Sequence, residues 1–391
     1  MKKLNILIVG GGMYVTGRGT NGLGTILPCL LDARRNKIVD RIAVATTSSK
    51  SLAYVKKIFN KTSKLIGTSN QCEYYPRNIK NDKNSYKKAL VEFNPDAVII
   101  SVPDHLHKKI TIDVLKMKKH CLVVKPMASS LKDGKKMLEH AIKSKVVAEV
   151  EFHKRLDESN MLLKEKIKNN EIGELLYATI EYSQRKNLPE KTFKKWSSKT
   201  NVFSYLAVHY VDLIYFITGY TPINVIAFGQ KKYLKSKGIN TWDAIQVIVE
   251  WRKNSNDKFI STHITNWIDS NKNSAISDQK INFVGTQGRF QADQKNRGIE
   301  FVNSNGIESI NPYFSSSFYD ETNKNVYFKG YGIANITEFL KDVISFRSGK
   351  ISLKQLDKSR PTFQSSLIST AIIDSVNKSL NKNGEKIKIN L

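Results

Sequence analysis

Residues 4–35 read "LNILIVGGGMYVTGRGTNGLGTILPCLLDARR", and the fold turns on how this stretch is read. An apolar run from Leu4 to Val9 ends in Gly10, Gly11 and Gly12, and four more glycines follow at Gly17, Gly19, Gly22 and Gly24. The run is too short to span a bilayer and has no small-residue cleavage site behind it, so it reads as a buried strand and not as a signal peptide. A strand that ends in Gly-x-Gly and passes into a helix lets the backbone approach a pyrophosphate closely. Gly10 and Gly12, with Met13 behind them, fill the first two positions of that fingerprint, but the third falls on Val15. The expectation is that "TGRGTNGLG" is inserted in the turn and that the helix restarts near Asn21 or Gly22.

Three further β-branched runs, "RIAVATT", "DAVIISV" and "HCLVVKP", alternate with helix-like segments such as "SYKKALVEF" and "KKITIDVLKMKK". That is the pattern of βαβ units with strands buried on both faces, hence a Rossmann-type doubly wound parallel sheet. Ligands of such sheets bind beyond the carboxyl ends of the strands. The candidate cofactor residues are therefore Gly10, Gly12 and Met13 after the first run and Thr46, Ser48 and Lys50 after the second. After the third and fourth come Ser101, Pro103, His105 and His107, then Lys125 and Pro126. The second run ends without the Asp or Glu that usually binds the adenosine ribose. Hydroxyls and a lysine suit a 2′-phosphate better than a carboxylate would, which favours NADP over NAD.

Beyond residue 125 the runs "ELLYATIEYSQR", "INVIAFGQ", "AIQVIVEWR", "FISTHITNW" and "KINFVGTQGRFQAD" alternate in part and are separated by polar turns. They predict a large, open-faced, mainly antiparallel sheet. Helical patterns at "ITEFLKDVISFRSG" and "TFQSSLISTAIIDSVNKSL" close the chain. The expected organisation is a dinucleotide-binding domain over residues 1–125 and an α/β substrate-binding and oligomerisation domain over 126–391.

The formal charge of +28 would suit a nucleic-acid binder. However, the lysines lie singly or in pairs along the whole chain among asparagines, which reads as a solvated surface and not as a nucleic-acid patch. Three cysteines without CxxC spacing suggest neither disulfides nor a zinc site, so no metal is expected and the cytoplasm fits best. No stretch is long and apolar enough for a membrane span.

The stretch "ISVPDHLHKKITIDVLKMKKHCLVVKPMASSLKDGKKML" resembles the glucose-fructose oxidoreductase, inositol dehydrogenase and rhizopine catabolism (Gfo/Idh/MocA) family. Pro103, Asp104, His105 and His107 match its Pro-Asn-x-x-His-like turn, Lys125 and Pro126 its Glu-Lys-Pro, and "YLAVHYVDLIYFITG" its catalytic helix. The resemblance implies an NAD(P)-dependent oxidoreductase that moves a hydride between a nicotinamide and a sugar, sugar derivative or polyol. It implies Lys125 and the His209/Asp212 pair as catalytic groups, with His209 as acid and base and Lys125 orienting the hydroxyl and assisting proton transfer. His153, Arg155 and Asn201, together with Asp212, are candidate substrate contacts, and Trp267, Asp278 and Lys280 are further polar or aromatic candidates. A homodimer or homotetramer through the open sheet face is also implied. Two departures stand out. Tyr205, a candidate catalytic group whose phenol can hydrogen-bond or relay a proton, lies four residues before His209 where many relatives carry Asp, and Val124 stands where the motif has Glu. They leave room for a non-catalytic dinucleotide- or sugar-sensing regulator, or for an NAD-dependent glycoside hydrolase on the same fold.

Overall fold

The computed structural model describes residues 3–77, 80–304 and 306–391. The chain forms two compact units.

The first unit comprises residues 1–127, 132–153 and 313–366. Its strands are β1 (Leu4–Val9), β2 (Val39–Ala45), β3 (Glu73–Tyr75), β4 (Ala97–Ile100), β5 (His120–Val124) and β6 (Ala148–Glu151). All pair in parallel in the order β3-β2-β1-β4-β5-β6. The helices between them are the short turn α1 (Met13–Thr16), α2 (Ile26–Arg35), α3 (Ser49–Ile66), α4 (Ser85–Glu92), α5 (His107–Lys116) and α6 (Leu131–Ser144). This is the doubly wound sheet expected from the sequence, with its topological switch between β1 and β4.

The glycine-rich turn differs from its sequence reading. A helical turn starts directly after Gly12, a loop runs from Gly17 to Gly24, and the helix restarts at Ile26 behind Thr25, not near Asn21 or Gly22. The inserted loop is compact. Thr25 N–H donates to the carbonyl of Tyr14 at 2.9 Å and Thr20 N–H to that of Gly17 at 2.9 Å, so the loop leaves and rejoins the chain at almost one place. Gly17 has φ +71°, and a Cβ there would lie 1.9 Å from the carbonyl oxygen of Gly22. Only glycine permits that closure.

The units are not contiguous in sequence, unlike the single boundary after residue 125 suggested by the motifs. The first unit's core takes in Ile336, Phe339, Leu340 and Val343 from a late helix, α10 (Tyr331–Arg347), beside Ile26, Leu27, Leu30 and Leu31 of α2. The α2 face is apolar and must be covered, and the late helix covers it.

The second unit comprises residues 128–131, 154–312 and 367–391. After α7 (Glu158–Lys168) come β7 (Leu175–Arg185), α8 (Val208–Thr218), β8 (Thr221–Gln230), the short α9 (Tyr233–Ser236), β9 (Ala244–Arg252), β10 (Lys258–Asp269), β11 (Ser277–Gly285) and β12 (Arg289–Asp293). With β17 (Ile387–Lys388) they form one sheet in the order β12-β11-β7-β10-β9-β8-β17. Only β7 and β10 pair in parallel. The hairpin β13 (Glu300–Asn303) with β14 (Gly306–Ser309) and most of α12 (Phe363–Asn381) also lie in this unit, whereas the hairpin β15 (Ser316–Asp320) with β16 (Asn325–Lys329) and the helix α11 (Leu353–Ser359) belong to the first. One face of the large sheet buries Val247, Val249, Trp251, Phe259 and Trp267, while the other exposes Phe228, Ile248, Ile260 and Ile264. The sheet is therefore open-faced, as its alternation predicted.

The tightest packing lies at the switch point. Gly10 has φ +119°, and a Cβ there would sit 1.9 Å from the carbonyl oxygen of Ser101, just beyond β4. Gly10→Ala must push the two strand ends apart, so we expect a loss of about 3 kcal/mol or more, read from urea unfolding followed by far-UV circular dichroism. A loss below about 1 kcal/mol would mean that the turn yields easily.

Candidate active site

Each unit carries its own set of chemical groups. In the first, they gather at the carboxyl ends of the strands. Gly12 differs from Gly10 because no atom lies within 4 Å of where its side chain would begin. This bare, exposed backbone after β1 is the space a pyrophosphate needs, and the residues present fit a dinucleotide.

At the end of β2, Thr46 is buried and its hydroxyl donates to the carbonyl of Ser48 at 3.0 Å, which makes it a turn brace. Ser48 caps α3, its Oγ accepting from Ser51 N–H at 3.2 Å. Lys50 is exposed. The inserted loop brings a residue that sequence reasoning passed over. Arg18 Nη2 donates to the carbonyl of Ser51 at 3.3 Å, and its guanidinium lies 4.5 Å from the centre of the Tyr54 ring. Arg18 thus adds a second cation beside the Ser48–Lys50 turn. Its signal was present as an arginine among glycines, but nothing local tells where the loop folds.

After β4, Asp104 is buried, His105 is exposed and His107 is fully buried. The two His107 ring nitrogens lie 2.7 Å from the carbonyl oxygen of Pro126 and 2.9 Å from that of Val102. His107 ties the turn after β4 to the Lys125–Pro126 turn, and its ring nitrogens are occupied by protein carbonyls.

Burial lowers the Lys125 ammonium to about 8, while the charges of Asp104 and Glu151 oppose the fall. Glu151, at the end of β6, is buried. It accepts a hydrogen bond from the Tyr14 hydroxyl at 2.7 Å and lies 2.6 Å from His153 Nδ1. Burial, then the Glu151 charge, raises the Tyr14 hydroxyl well above its usual range, so it remains a donor. Tyr14 and Glu151 were not singled out in the sequence, because the Tyr14–Glu151 contact joins residues 137 positions apart.

In the second unit, His209 and Asp212 lie on the first turns of α8 and both are buried. The Asp212 carboxylate accepts from Arg155 through Nε at 2.7 Å and Nη2 at 2.6 Å, a forked pair. Burial raises the Asp212 carboxyl, and Arg155 pulls it back down. Arg155 therefore holds both oxygens of the acid expected to meet substrate. Residues His153 to Leu156 form a 3₁₀ turn, in which successive side chains point about 120° apart. His153 accordingly meets Glu151 and Arg155 meets Asp212. Between them Lys154, unremarked in the sequence, is buried with Nζ 2.6 Å from Gln294 Oε1.

A wide π turn over Phe203–Ala207 precedes α8. Its looser winding takes Tyr205 off the α-helical position one turn before His209, and the ring packs 5.1 Å from Phe193, 5.6 Å from Trp196 and 5.5 Å from Trp267. Asn201 Oδ1 accepts from Ser204 N–H at 2.9 Å and its amide donates to Asn377 at 2.7 Å. It borders a polar pocket of about 270 Å³ lined by Ser129, Thr200, Asn240, Trp242 and Asn381. Trp267 is fully buried, its indole N–H donating to Gln184 at 3.0 Å, and Asp278 pairs with Lys295 at 2.9 Å.

A parallel six-stranded sheet with glycines at its switch point is the framework of a dinucleotide-binding fold. Residues 4–152 match the model of an oxidoreductase family with an NAD-binding Rossmann fold, and residues 161–291 match a GFO/IDH/MocA C-terminal domain. The chain belongs to the Gfo/Idh/MocA family. It is 27% identical over 201 residues to myo-inositol 2-dehydrogenase of Thermotoga maritima, covering 51% of this chain and 57% of that protein. Across the first curated relatives it matches, the chain spans from 36% to 57% of their length. The crystal structure of myo-inositol 2-dehydrogenase from Lactobacillus plantarum shares the fold, with a TM-score of 0.69 at 17% identity and full coverage of both chains. So does scyllo-inositol dehydrogenase from Lactobacillus casei, solved with bound NAD(H) and scyllo-inositol, at a TM-score of 0.67, 16% identity and 99% coverage of both. Among the described residues no helix is long and apolar enough to cross a membrane.

The Arg155–Asp212 pair yields a stability test. Asp212→Ala strands a buried guanidinium, and we expect a loss of about 3–5 kcal/mol in urea unfolding, with Asp212→Asn costing clearly less. Equal, small losses would show that the pair holds nothing in place.

Proposed function

We propose that this protein is an NAD(P)-dependent oxidoreductase acting on a hydroxyl or carbonyl of a sugar, sugar derivative or polyol. The observation that carries the reading is Lys125. It follows the β5 strand end, His107 braces its turn to that of β4, and burial lowers it to about 8, a poise suited to general acid–base work near neutral pH. The dinucleotide, when bound, supplies the hydride acceptor or donor.

Everything else in this reading falls to the chain's own residues. Gly12 leaves the backbone open for the pyrophosphate, and Gly10 keeps that turn against the β4 loop. Lys125 hydrogen-bonds the reacting hydroxyl and holds its proton, and His209, held on α8, is the second proton-handling group. Arg155 fixes Asp212 in one orientation, as an acid that steadies α8 and is placed to meet substrate. Asn201 and the amides and hydroxyls beside it form a polar lining suited to a polyhydroxylated ligand. The exposed Phe228, Ile248, Ile260 and Ile264 make the open sheet face the assembly surface of a homodimer or homotetramer. Three free cysteines are in keeping with a reducing, cytoplasmic setting.

For the cofactor we favour NADP over NAD. No acid closes β2, and Arg18 and Lys50 stand beside the turn that would receive a 2′-phosphate. Titration of the purified protein followed by nucleotide fluorescence should show NADPH bound more tightly than NADH. Arg18→Glu and Lys50→Glu should each weaken NADPH roughly tenfold or more while leaving NADH nearly unchanged, and Gly12→Trp should abolish both. Tighter NADH binding, untouched by either charge reversal, would overturn the 2′-phosphate assignment, and binding of neither nucleotide would overturn the oxidoreductase reading.

The catalytic test is a pH profile on a sugar and polyol panel. Lys125 accepts a proton only as the free amine, so kcat/KM for alcohol oxidation should rise as pH passes upward through about 8 and level off above it. Lys125→Arg should remove that limb, and His209→Asn should lower kcat by roughly 10² to 10⁴. A profile identical in wild type and Lys125→Arg would exclude the lysine.

A further inference from the structure

The residue before Lys125 is Val124, which brings no charge to the strand end. Directly across the β5–β6 ladder from Val124 stands Glu151. This carboxylate is fixed from two sides, by the Tyr14 hydroxyl at 2.7 Å and by His153 Nδ1 at 2.6 Å. Both donors are themselves packed. His153 stacks on Tyr331 with ring centroids 5.5 Å apart and lies 5.2 Å from Phe314, while Tyr14 lies 6.2 Å from His153. We propose that Glu151, locked by Tyr14 and His153, is the positioning residue for Lys125, supplying from the neighbouring strand the carboxylate that Val124 cannot.

Burying a lysine without a nearby anion drives it to the neutral form. The acids whose charges act on Lys125 are Asp104, on the turn after β4, and Glu151 on β6. Both are buried, so their charges are weakly screened and act strongly at short range. Tyr14 sits in the helical turn that begins right after Gly12, which makes the hydrogen bond to Glu151 a mechanical link from the glycine turn to the lysine. The role assigned to Glu151 in turnover rests on the oxidoreductase reading, whereas its effect on the lysine does not.

The test is therefore a direct titration. Protein labelled with ¹³C at lysine Cε is followed by NMR against pH, with the Lys125 resonance assigned by its loss in Lys125→Met. Glu151→Gln keeps the shape and an acceptor oxygen but removes the charge, and should lower the Lys125 midpoint by about one pH unit. Glu151→Asp keeps the charge and withdraws it by one methylene, and should fall between wild type and Glu151→Gln. It also carries the test if Glu151→Gln does not fold. On an active substrate, the alkaline-rising limb of kcat/KM should move to lower pH by the same amount, with little change in KM. A midpoint unmoved or raised in folded Glu151→Gln or Glu151→Asp, checked by circular dichroism, overturns the proposal. Failure of the wild type to bind either nucleotide, with the titration shift intact, would remove the oxidoreductase reading and leave Glu151 as the lysine's partner.

Discussion

The contact between Gly10 and the carbonyl of Ser101 is the constraint on which the first unit is built. It joins the turns at the ends of β1 and β4, the two strands at which the sheet reverses its winding. With no room for even a Cβ there, the chain is pinned, and Gly12 is left as bare backbone on the outer side of the turn. From Ser101 the β4 turn continues to His107, whose ring bridges to the carbonyl of Pro126 and so sets the Lys125 turn. One close approach of two backbones thereby fixes the cofactor turn and, through one histidine, the lysine.

The glycine-rich insertion is a structural device in its own right. Its ends are held together by the hydrogen bond from Thr25 N–H to Tyr14, and its glycines allow closure that side chains would block. Before it, Tyr14 points its hydroxyl to Glu151; within it, Arg18 reaches the first turn of α3. What the sequence shows as a break in a fingerprint is, in three dimensions, a means of carrying a phenol and a guanidinium to two different strand ends.

In the second unit, burial forces charged groups to satisfy one another before they can serve chemistry. Asp212 is locked by Arg155 and Lys154 by Gln294, because an unpaired charge in the interior costs several kcal/mol. The same pressure makes Thr46, Ser48 and His107 braces in the first unit, although each lies where a ligand-binding residue was expected.

The sequence by itself determined the architecture, because period and composition are local properties. Continuous β-branched runs mark β1, β2, β4 and β5 as strands buried on both faces, and alternation in β9 and β10 marks a sheet with one open face. The short β3, with only Glu73–Tyr75, has no such pattern and was not legible. The glycine fingerprint likewise placed Gly12, and the resemblance to the family placed Lys125 and His209, as candidates for cofactor and proton work. Only the tertiary structure decided what surrounds each candidate. The Arg155–Asp212 lock, the pairing of Val124 with Glu151 and the reach of Tyr14 across 137 positions are set by strand register and loop closure. Those long-range geometries depend on the whole packed unit, and no window of sequence contains them.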